Sequence, residues 1–421
     1  MQRIVVTGMG LVTPLGLGSD TVWERLLTGT SGIRRLSDDI VGDLATKIGA
    51  QVPDTTADAL AGFDADRVAS PKDQRKMDRF ILFALAAAEE ALRQAAWMPQ
   101  SDTERRRTAT VIGTGTGGFP AIVDAVHTVE RRGARRLSPF TVPSYMANLA
   151  AGPVSIKYGF KGPLGAPVTA CAASVQALGD AARLIRTGEA DVAVCGGAES
   201  CVETITIAAF GAARALATRY NDTPSAASRP FDRARDGFVI AEGAGILVIE
   251  SLDHARARGA RPFAELVGYG TTSDAYHVTS GPKDGDGASR AMRLALAQAG
   301  LDPTDIQHLN AHATSTEVGD RGELEAIKAV FGVDGKLAVS ATKSATGHLL
   351  GAAGAAEAIF TILALRDQIA PATLNLGQPD PASQGVHLVA GAPLPLSMEH
   401  AMSNGFGFGG VNASVVFRRC D

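Results

Sequence analysis

The sequence predicts an α/β protein made of two similar halves. Two observations predict it. Short β-branched runs alternate with Ala-rich helical stretches, a pattern that produces layered sheets covered by helices. Segments of the first part also return in the second. VTACAAS at 168–174 resembles VSATKSA at 339–345, and 238–250 and 404–417 both read strand, Gly-rich turn, strand. Two echoes at nearly one offset point to a duplicated unit. The boundary falls near the loop 254–261, which divides the chain into 1–255 and 256–421.

The elements follow in order. Strands are predicted at 4–7, 110–113, 166–169, 192–195, 239–250, 264–269, 306–310, 337–340, 400–403 and 412–417, each a short β-branched or apolar run. Helices are predicted at 20–27, 73–96, 121–132, 172–187, 287–298, 319–330 and 348–367. Within the second of these, 77–96 is amphipathic, with Phe80, Ile81, Phe83, Ala84, Ala87 and Ala88 on one face. The segments 99–167 and 220–237 read as excursions; the second carries Pro, Ser, Asp and Arg without apolar periodicity.

Composition removes several classes of function. At 421 residues the chain buries roughly 75% of its unfolded surface and needs no disulfide or metal staple. Hydrophobic residues at 45% and charged residues at 20% exclude global disorder. Aromatics make only 5% against 47 glycines, which favours tight turns and backbone-lined sites over stacking platforms. A net charge of −4 argues against a nucleic-acid binder. The 4 cysteines form no C-x-x-C pair, so no zinc ribbon is expected, and reduced thiols suit a cytoplasmic protein. Gly8, Gly10 and Pro14 interrupt any signal-peptide core. No membrane span is expected, because 349–365 contains Glu357 and 137–156 is broken by prolines.

Cys171 is the sharpest chemical signal. It lies between a predicted strand and a predicted helix of small residues, where the helix dipole and free N–H groups lower a thiol pKa. Small neighbours leave room for a thioester. His312 follows the strand predicted at 306–310, and His348 opens the helix predicted at 348–367. A histidine at a helix start stays neutral and can donate one N–H to a developing oxyanion. Lys343 reads as a supporting cation, with Glu357 as its buried counter-charge. Taken singly, Cys171, His312 and His348 each read more readily as structural, a buried thiol or a satisfied imidazole.

The Gly-rich segments are not phosphate loops. Residues 113–118 match G-x-G-x-x-G, but Pro120 follows and no ribose-binding acid is placed. Residues 405–410 lead into a strand and read as a tight turn, with Phe406 and Phe408 as core or gate. The arginines of 131–136, with Arg75, Lys76 and Arg79, form either a solvated face or a patch for an acidic partner.

With Cys171, His312, Lys343 and His348 in this order, the chain resembles the β-ketoacyl-[acyl-carrier-protein] synthases, most closely their synthase II branch. The resemblance spans nearly the whole chain. It is carried by VVTGMGLVTPLG at 5–16, TAC at 169–171, RPFD at 229–232, RDGF at 235–238, SDAYH at 273–277, NAH at 310–312, and the segments 343–354 and 405–412. It implies a duplicated five-layer αβαβα thiolase-like fold and a homodimer. It implies that Cys171 accepts an acyl chain as a thioester, and that malonyl-carrier protein loses CO2 to give an enolate that extends it. His312 and His348 would stabilise the enolate, and the amides of Cys171 and Phe408 would form an oxyanion hole. Lys343, Glu357 and Asp274 would support the site. Thr314 and Thr316 would hold the carrier's phosphopantetheine arm, and no cofactor or metal would be bound by the enzyme itself. Thr116, Phe210 and Phe408 would line the acyl tunnel. Arg75, Lys76, Arg135, Arg136 and Arg214 would dock the acyl carrier protein.

This sequence departs from the family at Ala313, Glu317, Gly405 and Val411, and it carries Thr116 where a bulkier aliphatic is frequent. None of these removes a catalytic group. They bear on chain length and pathway, so a ketosynthase of a specialised lipid, polyene or polyketide pathway stands as the alternative. A thiolase would need a second Cys within 406–410. A non-catalytic chain-length partner would lack Cys171. A Cys–His hydrolase would need a base bonded to the thiol and an open path for water.

Overall fold

The computed structural model describes residues 2–420. Strands β1 (Ile4–Thr13), β2 (Thr108–Gly113), β3 (Leu164–Gly165), β4 (Val192–Glu199) and β5 (Gly243–Ser251) come from the first part of the chain. The second part gives β6 (Ala264–Ser273), β7 (His308–Asn310), β8 (Ala338–Ser340), β9 (His387–Leu388), β10 (His400–Gly407) and β11 (Val411–Arg419). The major helices are α1 (Arg79–Ala95), α2 (Phe119–Arg132), α3 (Ala173–Arg186), α4 (Asp286–Ala299), α5 (Glu317–Phe331) and α6 (Ala353–Asp367).

The strands run in the order β9-β8-β7-β10-β11-β6-β1-β5-β4-β2-β3. Read outward from the centre, β1-β5-β4-β2-β3 and β6-β11-β10-β7-β8 have the same connectivity. Both begin with two antiparallel pairings and end with two parallel ones. The halves meet where β1 pairs with β6 through Val5 and Glu265.

Side-chain alternation along the strands explains the layers. In β5, Leu247 and Ile249 join the central core, whereas Ile246 and Val248 face the core under α1. In β11, Val415 and Phe417 face the central core, and Val416 joins the core under α4 and α5. Helices α3 and α6 fill the centre, with Leu178, Ile185, Ile359 and Leu363 at 0% exposure. The layers are therefore α1, sheet half, α3 with α6, sheet half, and α4 with α5: an αβαβα arrangement.

Two glycine pairs repeat this relationship in detail. A Cβ at Gly8 or Gly10 of β1 would strike the carbonyl oxygens of Ala91 and Ala87 in α1. A Cβ at Gly268 or Gly270 of β6 would strike those of Ala295 and Ala291 in α4. Each first strand lets its helix approach at backbone distance.

Four expectations need correction. No strand forms at 166–169; pairing stops at Gly165 because Pro167 has no N–H for a ladder. The helix at 73–96 is two helices, Pro71–Gln74 and α1, because the Asp78 side chain caps α1 by accepting from the Phe80 N–H. Strand β5 begins only at Gly243, whose φ of 152° bends the chain; 238–241 instead form single bridges to 216, 348 and 50. Helix α6 starts at Ala353, so His348 precedes it in a loop, its N–H bonded to the Val239 carbonyl at 2.8 Å. The echo at 339–345 therefore opens a single helical turn, Lys343–Thr346, whereas the structural counterpart of α3 is α6.

Candidate active site

Cys171 sits in the one-turn 3-10 helix Ala170–Ala172 that runs into α3. Ala170 before it has φ 48°, a left-handed kink that turns the chain sharply ahead of the thiol. His312 follows β7. His348 sits between the turn Lys343–Thr346 and the 3-10 turn Leu350–Ala352. These three residues, from both halves, converge at one cleft of 660 Å³. The Cys171 sulfur and one nitrogen of each imidazole all lie within 4.8 Å of one another. His348 Nε2 is 3.0 Å from Cys171 Sγ. A nitrogen base therefore touches the thiol, which corrects the expectation that none would.

Burial controls the protonation states. It pushes the Cys171 thiol up to about 12, against the opposing pull of the Lys343 charge and the Phe408 and Cys171 amides. The expected lowering by a helix N-terminus is outweighed, because the sulfur is desolvated and α3 begins only at Ala173. Burial, reinforced by the Lys343 charge, holds His312 and His348 well below the ordinary imidazole range. The resting site is therefore a thiol beside two neutral rings.

Lys343 and Glu357 do not line the cleft. They form a buried pair behind it, Nζ to Oε1 at 2.5 Å. Phe408 is 39% exposed at the tip of the turn between β10 and β11, which requires positive φ at Gly409 and Gly410. Its ring lies 6.4 Å from that of Phe210. Phe210 and Cys171 pack on the same apolar cluster, which includes Val202, Ile207, Leu216, Phe238 and Leu350. Asp274 accepts from Asn412 Nδ2 at 2.7 Å and donates its N–H to the Gly410 carbonyl at 2.8 Å. It braces the Phe408 turn from below. Thr314 and Thr316 line the cleft with their hydroxyl oxygens 3.1 Å apart.

Thr116 also lines the cleft, but its hydroxyl is committed to Glu199 at 2.8 Å. Glu199 also accepts from the Gly115 and Gly351 amides at 2.6 and 3.0 Å. An internal carboxyl thus fills the Gly-rich loop at 113–118, where a phosphate loop would hold its ligand.

Arg214 is exposed at the cleft mouth. Arg75, Arg135 and Arg136 are exposed away from it. Lys76 bonds Asp73 at 2.6 Å and lies 5.2 Å over the Phe140 ring, linking the two basic segments.

Two further acids act here that the sequence reading did not single out. Glu323 accepts from the His312 and Ala313 amides at 2.8 and 2.7 Å, and from Asn404 Nδ2 at 3.1 Å. One turn earlier, Asp320 accepts from the Ser315 and Phe231 amides at 3.1 and 2.9 Å. Both residues lie on the inner face of α5 and clamp the backbone of 312–315. The available signal was two acids three residues apart on the stripe that also carries Leu324 and Ile327.

Comparison with known proteins agrees with this geometry. Residues 1–255 match the family model for the beta-ketoacyl synthase N-terminal domain, and 263–377 match its C-terminal domain. The chain is 49% identical to 3-oxoacyl-[acyl-carrier-protein] synthase 2 of Rhizobium meliloti (strain 1021), over 100% of this chain and 99% of the relative. It is 47% identical to the mitochondrial 3-oxoacyl-[acyl-carrier-protein] synthase of Arabidopsis thaliana, over 99% of this chain and 93% of the relative. Among solved structures, a beta-ketoacyl synthase from Burkholderia phymatum STM815 superposes with TM-score 0.92 at 36% identity, covering 100% of both chains. The type II PKS ketosynthase AntDE, in complex with its acyl-carrier protein AntF, gives 0.89 at 31% identity, again covering 100% of both.

Proposed function

This chain belongs to the beta-ketoacyl synthase family, and we propose that it elongates fatty acids by condensing malonyl-carrier protein with an acyl chain held on Cys171. The observation that carries the residue assignment is the convergence of one thiol and two neutral imidazoles within 4.8 Å.

In the first half-reaction the Cys171 sulfur attacks the carrier-bound thioester. The thiol proton goes to the departing pantetheine sulfur, and His348, whose Nε2 lies 3.0 Å from Cys171 Sγ, keeps its own N–H. The amides of Cys171 and Phe408 act on the sulfur in the resting site, and serve as donors to the tetrahedral oxyanion. In the second, CO2 leaves malonyl-carrier protein and negative charge develops on the thioester oxygen. Neutral His312 and His348 donate N–H bonds to it, and the nearby Lys343 charge favours the same anion. The enolate carbon then attacks the Cys171 thioester, the C–S bond breaks, and the 3-oxoacyl product, longer by one two-carbon unit, leaves as the Cys171 thiolate takes up a proton from solvent. Thr314 and Thr316 offer hydroxyls to the pantetheine arm, and the apolar cluster beside Phe210 takes the acyl chain.

The carrier protein is an acidic partner for Arg75, Lys76, Arg135, Arg136 and Arg214. A homodimer is supported by an exposed apolar face: Ile122, Val126 and Val129 on α2, Phe140 and Val142 beyond it, and Val168 near the edge strand β3. The halves 1–255 and 256–421 are supported by the repeated glycine-helix contacts. A cytoplasmic setting is supported by the undisulfided thiols of Cys171, Cys195 and Cys201. Among the described residues, no helix is long and apolar enough to cross a membrane. Fatty-acid elongation is favoured over a polyketide role because full-length identity is 49% to the synthase 2 relative and 31% to the polyketide ketosynthase.

The test is mass spectrometry of the Cys171 peptide after mixing with acyl-carrier proteins of graded length, followed by CO2 release from malonyl-carrier protein. An acyl adduct on Cys171 that disappears on malonyl addition supports the proposal. No adduct at any length on folded protein overturns it.

A further inference from the structure

The three groups at the cleft floor are also a set of soft metal ligands. A sulfur and two imidazole nitrogens lie within 4.8 Å of one another, and one S···N separation is already 3.0 Å. Tetrahedral zinc takes Zn–S near 2.3 Å and Zn–N near 2.0–2.1 Å, which places neighbouring ligand atoms about 3.3–3.6 Å apart. The separations here, one of 3.0 Å and none above 4.8 Å, span a range that contains that spacing. All three residues line the cleft, through which an ion can enter.

We propose that Cys171, His312 and His348 bind a thiophilic divalent cation of the zinc type, and that the bound ion blocks acylation of Cys171. The blocking rests on the proposed role of Cys171 as nucleophile; the binding does not. The step is a proton-for-metal exchange without redox change. The S–H bond breaks, its proton goes to buffer, and a sulfur–metal bond forms while two neutral imidazoles supply lone pairs. The metal then holds the sulfur electron pair that would attack a thioester. Conversely, an acylated Cys171 has no thiolate to offer, so acyl chain and metal exclude each other. The Lys343 charge opposes a cation here, and its pairing with Glu357 at 2.5 Å offsets that repulsion in part.

Cobalt(II) is the probe, added anaerobically to the full-length protein. The expected result is a sulfur-to-cobalt charge-transfer band and an intense four-coordinate d–d envelope, both saturating at one equivalent and both bleached by zinc. The bands vanish in Cys171→Ser, weaken in His312→Gln and persist in Cys420→Ser, with folding checked by circular dichroism. Absence of bands, or bands that survive in Cys171→Ser, overturns the proposal. A wild-type measurement guards against a variant that does not fold: zinc must protect the Cys171 peptide from iodoacetamide, and unprotected alkylation overturns the proposal equally. If the metal-free enzyme fails to condense, the proposed function falls, while the cobalt bands still decide this site.

Discussion

Lys343 Nζ donates to Glu357 Oε1 at 2.5 Å, and the two side chains are 1% and 3% exposed. The lysine charge reaches Cys171, His312 and His348, favouring thiolate and neutral imidazole alike. Removing one partner strands the other in a dry interior, a loss of about 3–5 kcal/mol. Lys343→Ala and Glu357→Ala should each lower unfolding stability by that amount in denaturant titrations. Lys343→Met combined with Glu357→Leu should recover most of it and still fail to release CO2 from malonyl-carrier protein. Full decarboxylation by that double variant would reduce the pair to a structural element.

The buried thiol predicts a pH signature. With Cys171 pushed up to about 12, its thiolate fraction should rise roughly tenfold per pH unit from pH 7 to 9. Iodoacetamide alkylation, followed by peptide mass spectrometry, should climb across that range without levelling. A plateau near pH 8 would mean that the amides and Lys343 outweigh desolvation.

Most strand positions and the buried face of α1 were legible because periodicity and β-branched runs record one-sided burial. Cys171, His312, Lys343 and His348 were legible because each sits beside small residues in a short distinctive motif. What was lost depends on contacts distant in sequence. The role of Glu199 becomes visible only when β4 lies beside the Thr114–Thr116 backbone, a pairing that local pattern does not encode. The start of α6 was misplaced because 348–352 runs without a break into the Ala-rich stretch of α6, whereas φ of 71° at Gly347 and 47° at Leu350 keeps it out of the helix. The thiol pKa was misjudged because a helix-end argument is local and desolvation is a property of the assembled cleft.

Gly407 sets the distance between the Phe408 turn and the nucleophile. A Cβ there would lie 2.7 Å from the Thr169 carbonyl oxygen and 3.2 Å from the Cys171 amide nitrogen. Gly407→Ala should therefore displace the oxyanion donors with little effect on the distant core. The acyl-transfer rate should fall by about 10²–10³-fold, the cost of one such donor, while KM for the carrier changes little. An unchanged single-turnover rate would separate the Phe408 amide from the reaction.

Arg135 and Arg136 are exposed on a turn after α2, so their substitution should leave the fold intact. Arg135→Glu with Arg136→Glu should raise KM for acyl-carrier protein and flatten its dependence on salt, with kcat nearly unchanged. Lys76→Glu should act more weakly, since its ammonium already serves Asp73 at 2.6 Å. A KM that is unmoved at low salt would return these arginines to a simple solvated face.

His308 offers a titration that is independent of the catalytic groups. It is fully buried in β7, with Nε2 3.0 Å from the Ser340 hydroxyl, and burial lowers its pKa from 6.5 to about 4. Between those values the unfolded chain binds a proton that the folded chain refuses, so the contribution of His308 to stability is complete above pH 6.5 and is lost as pH falls toward 4. The slope is about 1.4 kcal/mol per pH unit, or roughly 3 kcal/mol over the window. Urea unfolding of wild type and His308→Gln at a series of pH values should show a constant stability gap above pH 7. The gap should narrow steadily from pH 6.5 downward, because the glutamine variant has no proton to exclude. Parallel curves across the window would mean that His308 titrates alike in the folded and unfolded states.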